Sequence, residues 1–298
     1  VITGDTTGSI IGAIEDHIKK HLIGMDIGNI EEIMLKLDKS IVKNTSAKAA
    51  VDIAIYDLYG QLYEAPVYKL LGGYRKEIIT DITISVNDPD EMAQDSIEAV
   101  KQGYKTLKIK VGKDSALDIK RMEAIREAVG YDIDLRIDAN QGWNAKEAIY
   151  ILRKMEDAGL NIELVEQPVL AHDLQGLKLV TDNVAIPVLA DESVFSPRDA
   201  ITIMQMGAAD LINIKLMKTG GIHNALKICS IAEIYGVECM LGCMLETKVS
   251  VTAAVHLAAA KNIITKIDLD GPLLCSEDPI DGGAISEDCR IMVAEDAG

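Results

Sequence analysis

The stretch TLKIKVG, residues 106–112, carries two lysines whose spacing can support chemistry. Lys108 and Lys110 alternate with Leu107 and Ile109, and a period of two is typical of a β-strand, so both ammonium groups lie on the same face. The opposite face is apolar and must be buried. Because lysine is rarely buried without a partner, the pattern predicts acidic groups close to these two side chains.

Acidic residues stand at matching places in the next strand-like runs. RIDAN carries Asp138 and Asn140, ELVEQ carries Glu166, and LADES carries Asp191 and Glu192. Carboxylates that converge from neighbouring strand ends suit a hard divalent cation such as Mg²⁺, which prefers oxygen ligands. We therefore predict one Mg²⁺ per subunit, bound by Asp138, Glu166 and Asp191, and we expect the other two side chains behind these ligands or beside the lysines. Separate acids solvated in loops are the alternative, which the flanking lysines disfavour.

A third lysine, Lys215, ends the run DLINIK. In an eight-stranded ring the second and sixth strands lie nearly opposite, so Lys110 and Lys215 are expected to face each other with the acids between them. A dry site or a nearby cation depresses the pKa of a lysine, which can then act as a base. Two opposed bases can remove a proton from one face of a carbon and return it on the other, while the metal and Lys108 hold the enolate oxygen. A salt bridge from Lys215 to one of the acids is the structural alternative.

Eight short β-rich runs are expected to position these side chains. Their central residues, from 83 to 268, are about 26 residues apart, and helical patterns such as SALDIKRMEAIREAVG lie between them. This alternation predicts an α/β protein with a (β/α)₈ barrel, whose active site lies at the C-terminal ends of the strands. An open doubly wound sheet is the alternative. The runs are DITISV, TLKIKV, DLRIDA, IELVEQ, PVLADE, DLINIK, VECMLG and KIDLDG.

The remaining parts of the chain predict a second, smaller domain. Residues 7–72 contain three helical stretches without strands between them: GSIIGAIEDHIKKHLIG, IEEIMLKLDKSI and SAKAAVDIAIYDLYGQL. We assign residues 1–76 to this cap, 77–270 to the barrel, and 271–298 to a segment that returns to the cap. Because the chain opens on VITGDTTGSI and stops after RIMVAEDAG, we expect the natural protein to extend beyond both ends.

Composition narrows the classes of partner. The 298 residues are 48% hydrophobic but only 4% aromatic, which predicts an aliphatic core, and a net charge of −17 argues against nucleic acid or an anionic membrane as partner. No apolar run reaches the ~18 residues of a membrane span, and no signal peptide is visible. Five cysteines without a C-x-x-C motif fit a reducing compartment, so we expect a cytoplasmic protein. The sequence does not decide between a monomer and a homo-oligomer.

The joint order of these motifs resembles the enolase superfamily, in its muconate-lactonising subgroup. The matching stretches are LKIKVG, RIDANQGW, ELVEQP, LADES and NIKLMKTGGI, which together cover the barrel. The resemblance implies a modified (β/α)₇β barrel, an α+β capping domain built from both chain ends, and Mg²⁺-assisted chemistry with lysine bases. Mainly the helical part of that cap is expected in this chain, because the cap strands would lie before residue 1 and after residue 298.

One further motif favours one activity within that subgroup. KIDLDGPLL carries Asp268 and Asp270, two apart on the eighth run, where dipeptide epimerases have an Asp-x-Asp that resembles a clamp for the substrate α-ammonium. The resemblance implies a Mg²⁺-dependent dipeptide epimerase, an isomerase that moves a proton at the α-carbon of the C-terminal residue through an enediolate. Met240 and Gly242, near the end of the seventh run, are expected to contact the substrate. Two aspartates that end a strand before a Gly-Pro turn are the structural alternative.

Other activities stay open at this point. An o-succinylbenzoate synthase, an N-acylamino acid racemase and a cycloisomerase belong to the same subgroup, a Schiff-base aldolase needs only one lysine, and a non-catalytic barrel can hold a stabilising metal. His172, His223 and His256 have no partners at ligand spacing, so we expect them on loops or helix surfaces. KTGGI, residues 218–222, predicts a turn into a helix, because phosphate loops in barrels usually follow the seventh and eighth strands.

Overall fold

Two sheets organise the chain in a computed structural model, which describes residues 2–277 and 279–298. Most strands belong to one eight-stranded sheet, and a separate sheet has three short strands. In chain order the strands are β1 (Glu77–Ile79), β2 (Ile82–Ile84), β3 (Thr106–Lys110), β4 (Asp134–Asp138), β5 (Ile162–Glu166), β6 (Val188–Ala190), β7 (Leu211–Ile214), β8 (Glu238–Gly242), β9 (Ile264–Asp268), β10 (Ile285–Glu287) and β11 (Arg290–Met292).

The eight-stranded sheet is the predicted barrel. Strands β2 to β9 pair in chain order, and every pairing is parallel. At the seam between β9 and β2, the N–H of Leu269 donates to Thr80 Oγ1 over 2.9 Å and the N–H of Asp81 donates to Ile267 O over 3.4 Å, so the barrel is nearly closed. The strand ends that carry the predicted acids and lysines therefore meet at one mouth.

Side chains alternate along each barrel strand between the outer surface of the barrel and its interior. On β3, Leu107 and Ile109 face outward and are fully buried in the large apolar cluster that also contains helix residues such as Met122 and Ile125. The even-numbered side chains of β3 point into the barrel instead. A period of two in the sequence thus becomes an aliphatic layer outside the barrel and a polar set of side chains inside it.

The barrel interior is itself divided below the mouth. Four aliphatic side chains from β5 to β8 form a separate small cluster, namely Leu164, Leu189, Leu211 and Met240. On the other side Arg136 is buried and donates to Asp81 over 2.7 Å and to Glu163 over 2.6 Å. A buried arginine is tolerated there because two carboxylates compensate its charge.

Helices connect the strands and build the cap. The first helical stretch is α1 (Thr7–Gly12), a π-helical segment (Ala13–Ile18) and α2 (Lys19–Leu22). The cap continues with α3 (Ile30–Ser40), α4 (Thr45–Leu62) and α5 (Val67–Leu71), and a short 3₁₀ turn, Gly271–Leu274, follows β9. The barrel helices are α6 (Pro89–Lys101), α7 (Ser115–Val129), α8 (Ala145–Asp157), α9 (Leu174–Thr181), α10 (Pro197–Met206), α11 (Leu216–Thr219), α12 (Ile222–Tyr235) and α13 (Lys248–Ala260).

The three-stranded sheet joins distant parts of the chain. Strand β11 lies in the middle, antiparallel to β10 and to β1. Strand β1 lies within the range 77–270 that the sequence assigns to the barrel, yet it pairs with the C-terminal hairpin of residues 285–292. The domain boundaries at residues 76 and 270 stay a prediction.

A buried aspartate attaches the cap to the barrel. Asp52 on α4 is 1% exposed and accepts hydrogen bonds from the N–H groups of Ile222, at 2.6 Å, and His223, at 3.2 Å, at the start of α12. A carboxylate at a helix N-terminus satisfies unpaired N–H groups. Gly221 has φ +114°, and a Cβ there would lie 2.2 Å from Asp52 Cγ, so the KTGGI turn requires glycine at this position.

The described residues contain neither a membrane-spanning helix nor a disulfide bond. None of their helices combines the length and the apolar character needed to span a bilayer. The five cysteines, Cys229, Cys239, Cys243, Cys275 and Cys289, all lie in the described ranges and are all free thiols.

Candidate active site

Lys108 occupies the centre of a carboxylate cluster. Its side chain is buried, and Nζ lies 2.7 Å from Glu166 Oε2, 2.7 Å from Asp268 Oδ2 and 3.0 Å from Asp138 Oδ2. These carboxylates come from β4, β5 and β9, so one ammonium group links strands on both sides of β3. The acidic partners that the buried lysine requires are therefore present.

Lys110 lies nearer to the mouth. Its Nζ donates to Asp138 Oδ2 over 2.6 Å and to Asn140 Oδ1 over 2.9 Å, and 29% of its side chain is exposed. Lys110 can thus reach the open end of the barrel, whereas Lys108 cannot. The exposed mouth is where a small substrate can approach.

Lys215 approaches the same acids from the opposite wall. Strands β3 and β7 are separated by three strands in either direction around the barrel. Lys215 follows β7, and its buried Nζ lies 2.8 Å from Asp191 Oδ2 and 3.7 Å from Glu166 Oε1. The structure therefore brings the two lysines to opposite sides of one acidic cluster.

Gly242 on β8 leaves the space that Lys215 uses. A Cβ at this position would lie 3.0 Å from Lys215 Cε and 2.9 Å from Asn213 Oδ1. Met240, two residues earlier, is fully buried in the small aliphatic cluster below the mouth. A substrate contact by either residue stays a prediction.

The carboxylates set the pKa values of the lysines. Burial lowers the pKa of Lys108, but the charges of Asp138, Asp268 and Glu166 more than offset burial and hold it well above the usual lysine value. For Lys215, Asp191 and Glu166 outweigh burial in the same way and raise the pKa. Our expectation of a depressed pKa for the two bases is therefore wrong for Lys215 in the arrangement described.

The pKa values of the three acids shift in different directions. Burial raises the pKa of Glu166 to about 7, with a further rise from the charge of Asp138. Burial also acts on Asp138, but Lys108 and Lys110 prevail and lower its pKa to about 2. The pKa of Asp191 is lowered too, because Lys215 and Lys218 outweigh burial. Of these three acids, Glu166 is the one whose pKa is raised and not lowered.

Asn140 and Glu192 lie where the sequence expects them, next to the acids and a lysine. The N–H of Asn140 donates to Asp138 Oδ1 over 2.9 Å, and its side-chain amide donates to Glu192 Oε1 over 3.3 Å. Glu192 is buried, and its other oxygen has no hydrogen-bond partner among the described residues. Burial, followed by the charge of Asp191, raises the pKa of Glu192.

Sequence reasoning missed several residues that hold the acids in place. Asn213 donates to Glu166 Oε1 over 2.9 Å, and the fully buried Lys218 donates to Asp191 Oδ1. Gln167 accepts from the N–H of Asp191 over 2.9 Å. The alternation of Asn213 with Lys215 in NIK was a usable signal, because period two places both side chains inside the barrel.

Asp118 on α7 holds two of the mouth loops. It is fully buried and accepts from the N–H of Gly112 over 2.9 Å and from the indole N–H of Trp143 over 3.3 Å. Arg121 donates to the same carboxylate over 2.8 Å and to Asn87 O over 2.7 Å. The glycine and tryptophan of LKIKVG and RIDANQGW therefore fix the loops that follow Lys110 and Asp138.

The aspartate pair on β9 is buried at the mouth. Asp268 accepts from Lys108, as described above, and Asp270 Oδ2 accepts from the N–H of Thr83 over 2.8 Å. Burial and the neighbouring Asp268 raise the pKa of Asp270. The ammonium group that lies against Asp268 in this structure is that of Lys108, at 2.7 Å.

The donor set fits a divalent cation, although not in its present geometry. Asp138, Glu166 and Asp191 supply oxygen donors from three adjacent strands, as Mg²⁺ prefers. Among residues 2–277 and 279–298, however, no three acidic, histidine or cysteine side chains already stand as a metal cage. The reason is visible in the contacts, because Lys108 and Lys215 hold the oxygens that face the barrel axis.

A cavity of about 460 Å³ opens beside Lys110. It is lined by Ser85, Val86, Lys110, Val111, Gly112, Lys113, Ala139, Asn140 and Gly142, which belong to the loops after β2, β3 and β4. A more apolar cavity of about 400 Å³ lies between α4, α13 and the C-terminal segment, away from the lysines. The first cavity is large enough for a small substrate next to a candidate base.

The fold and the site together define a barrel in which lysines and acidic side chains share one mouth. The chain belongs to the mandelate racemase and muconate lactonizing enzyme family of the enolase superfamily. Residues 1–72 match the N-terminal domain of that family, and residues 91–298 match the family described as enolase C-terminal domain-like. The proposed resemblance and the predicted fold are thereby confirmed.

Relatives with known activities cover the whole chain. L-Ala-D/L-Glu epimerase of Clostridium acetobutylicum is 68% identical over 298 residues, which are 100% of this chain and 83% of that protein. A substrate-liganded structure of L-Ala-D/L-Glu epimerase from Bacillus subtilis has a TM-score of 0.99 at 52% identity, covering 100% of this chain and 83% of that one. The chain is accordingly an enzyme of the isomerase class.

One further solved structure bears on the metal. Dipeptide epimerase from Enterococcus faecalis, complexed with Mg and the dipeptide L-Leu-L-Tyr, has a TM-score of 0.96 at 49% identity, covering 100% of this chain and 84% of that one. That relative is complexed with both a metal and a dipeptide.

Proposed function

We propose that this chain is a Mg²⁺-dependent dipeptide epimerase that inverts the α-carbon of the C-terminal residue by a two-base proton transfer. The observation that carries the proposal is the arrangement of Lys110 and Lys215 on opposite walls of one buried acidic cluster. An L-Ala-Glu dipeptide is the first substrate to test, because the 68% identical relative is an L-Ala-D/L-Glu epimerase.

The two lysines supply the stereochemical change. A carbon held between them presents one face to Lys110 and the other to Lys215. One amine removes the α-proton and becomes an ammonium group, while the ammonium group opposite donates a proton to the other face and becomes an amine. The configuration inverts, and the other three bonds of the α-carbon stay intact. A carboxylate conjugated to the resulting carbanion spreads its charge as an enediolate.

The central residues stabilise that charge. Lys108 lies between the acids and near the barrel axis, where three carboxylates now hold its ammonium group. If those carboxylates turned to a bound cation, the ammonium group would be free to donate to an enediolate oxygen. Bound Mg²⁺ would supply further positive charge to the substrate carboxylate. Asp138, Glu166 and Asp191 would hold it, one ion per subunit, and would then neutralise the lysines less strongly, which lets a lysine release its proton.

The aspartate pair provides the other end of the substrate site. Asp268 ends β9 and Asp270 follows it, on the other side of β3 from the acids at the ends of β4 to β6. An α-ammonium one peptide unit from the reacting carbon can reach these carboxylates, in the way that Lys108 already does for Asp268. We therefore infer that a free N-terminus is recognised.

Solvent exchange tests this proposal directly. The protein is incubated with L-Ala-L-Glu or L-Ala-D-Glu, Mg²⁺ and D₂O, and each epimer is followed by chiral chromatography and mass spectrometry. We expect deuterium at the α-carbon of glutamate only, interconversion of both epimers, and no reaction in EDTA. Absence of exchange in a set of free dipeptides would overturn the proposal. Borohydride trapping of an enzyme-bound imine would instead indicate the aldolase alternative.

A further inference from the structure

Lys218 is more deeply buried than Lys108, Lys110 or Lys215. Its side chain is fully buried, and Nζ donates to Asp191 Oδ1, to Asp191 O and, over 3.0 Å, to Asn213 O. An ammonium group has three protons, and these three acceptors use all of them. Lys218 therefore has no free proton or exposed surface to offer a substrate.

In Asp138, Glu166 and Asp191, the two carboxylate oxygens have different partners. In each case a lysine of the barrel axis binds one oxygen, which we call the inner oxygen, and another group binds the second, the outer oxygen. The outer oxygen of Asp138 accepts from the N–H of Asn140, and that of Glu166 accepts from the amide of Asn213. For Asp191 the donor to the outer oxygen is Lys218, which is the one charged group among these three hydrogen-bond donors. Lys215 also lies near the outer oxygen of Glu166, but at 3.7 Å.

Lys218 also helps to fix the position of Lys215, the proposed base. Lys215 precedes α11, and the N–H of Lys218 donates to Lys215 O over 2.9 Å. The Lys218 side chain returns to the ends of β6 and β7 through Asp191 O and Asn213 O. One side chain thus ties the turn that carries Lys215 to the strand end that carries Asp191.

Charge explains why an ammonium group stands there. Near the barrel axis four carboxylates, Asp138, Glu166, Asp191 and Asp268, lie close to Lys108, Lys110 and Lys215. Glu192 and Asp270 are buried at the same mouth, so acidic groups outnumber these three lysines. A buried unpaired carboxylate is strongly unfavourable. Lys218 supplies the fourth positive charge from behind Asp191.

We propose that Lys218 is a built-in counter-ion of Asp191, which keeps the outer oxygen occupied and leaves the metal one oxygen only. Lys218 stabilises the site before metal binds and, as a positive charge beside a metal ligand, limits the affinity for Mg²⁺. It is a positioning residue and not a base. This inference rests on the proposed role of Asp191 as a metal ligand.

Three proteins test the inference: the wild type, Lys218→Met, and Lys227→Met as a matched control on the exposed face of α12. Mg²⁺ affinity is measured by titration calorimetry, and thermal unfolding is measured in EDTA and in saturating Mg²⁺. Lys218→Met should unfold at a lower temperature in EDTA, and Mg²⁺ should raise its midpoint by more than that of the wild type. Its Kd for Mg²⁺ should fall about tenfold or more, because a competing cation has been removed. Lys227→Met should behave as the wild type.

Unchanged or weaker Mg²⁺ binding in Lys218→Met would overturn the inference. If that variant does not accumulate as folded protein, the double variant Asp191→Asn/Lys218→Met decides. Removing both charges should restore folding in EDTA if Lys218 serves as the counter-ion, and failure to restore it would count against the inference.

These measurements are separate from the test of the proposed function, since they contain no dipeptide. A wild-type protein that shows the expected shifts but epimerises no dipeptide would overturn the function and leave the inference standing. Mg²⁺-dependent epimerisation by the wild type, without the expected changes in Mg²⁺ affinity and unfolding temperature in Lys218→Met, would overturn the inference and leave the function standing.

Discussion

The N–H of Tyr68 donates a hydrogen bond to Nδ1 of His256 over 3.1 Å, and this bond joins the cap helix α5 to the barrel helix α13. His256 is 3% exposed, and burial lowers its pKa to about 4. A protonated imidazole has no acceptor nitrogen, so the bond requires neutral histidine. The expectation that His256 lies on a helix surface is therefore wrong, because its ring belongs to the contact between cap and barrel.

This contact predicts a loss of stability in mild acid. The unfolded chain binds a proton at His256 below its ordinary pKa of 6.5, while the folded protein resists protonation until about pH 4. The free energy of unfolding should therefore fall as the pH drops from 6.5 to 4, by up to about 3 kcal/mol from this residue. His256→Asn removes the titration. The stability gap between wild type and variant, measured by urea unfolding, should narrow over this interval.

The exposed His17 on the first cap helix provides the control. His17→Asn should stay close to the wild type at every pH, since exposed substitutions usually have small effects. A gap between wild type and His256→Asn that stays constant from pH 8 to pH 4 would contradict the assigned role of the imidazole.

Gly221 should be among the least replaceable glycines. Gly221→Ala forces a side chain into φ +114° and places Cβ against Asp52, so we expect it to lower the free energy of unfolding by about 3 kcal/mol or more. Gly236 has φ +68° and open space, so Gly236→Ala should lower it by only about 1 kcal/mol. In an Asp52→Ala background the loss at Gly221 should shrink. Equal losses in both backgrounds would exclude a clash with Asp52.

Patterns local in sequence predicted much of the fold and of the site. Period two placed Lys108 and Lys110 inside the barrel, and the spacing of the strand runs placed Asp138, Glu166 and Asp191 at one mouth. These inferences need only the strand period and the rule that parallel strands end together. They do not depend on which distant side chains finally meet.

Pairings between distant residues were not predictable in this way. Asp52 and Ile222 are 170 positions apart, and nothing in the helix around Asp52 marks that residue as a helix cap for the barrel. Lys218 lies in a short helical turn, where a lysine is typical of a solvent-facing position, yet it is fully buried. Burial of a charge is decided by its partners, and the partners come from other elements.

Glu166→Gln tests the metal site with the least disturbance of the fold. Burial already favours the neutral form of Glu166, and glutamine keeps the shape and an acceptor for Asn213. Losing one anionic ligand should lower Mg²⁺-dependent epimerisation by about a hundredfold or more. The rate is measured across a Mg²⁺ titration, with Asp157→Asn, an exposed position on α8, as the control. Full activity of the wild type in EDTA would remove the metal from the mechanism.

Replacing Lys110 or Lys215 should abolish α-proton exchange from opposite epimers. In Lys110→Ala, turnover should stop, but Lys215 should still exchange the α-proton of the one epimer that it faces, and Lys215→Ala should show the opposite selectivity. Each exchange is followed by NMR in D₂O from stereochemically pure dipeptides. The position of Lys110 and Lys215 on opposite walls requires this asymmetry. If both variants exchange both epimers equally, the two-base model is wrong.

The last prediction concerns what Asp268 and Asp270 recognise. A charge-assisted hydrogen bond is worth ~1.5–3 kcal/mol, so Asp270→Asn should lower kcat/KM for a free dipeptide roughly ten- to a hundredfold. Asp270 is the cleaner choice, because Asp268 also binds Lys108. N-acetylation of the dipeptide removes the ammonium charge and leaves two buried carboxylates facing an amide, so the wild type should lose more activity with it. In Asp270→Asn, the ratio of kcat/KM for the free dipeptide to that for its N-acetyl form should be smaller than in the wild type.

The comparison of free and N-acetylated dipeptide separates two activities of the family. Both substrates share the reacting α-carbon and its carboxylate, so a difference in kcat/KM reports on the N-terminal group alone. A strong preference for the free ammonium supports dipeptide epimerisation, since only that substrate offers a positive charge to the β9 carboxylates. Equal or faster turnover of the acetylated compound would show that Asp268 and Asp270 do not bind an ammonium group, and would assign the barrel to N-acylamino acid racemisation.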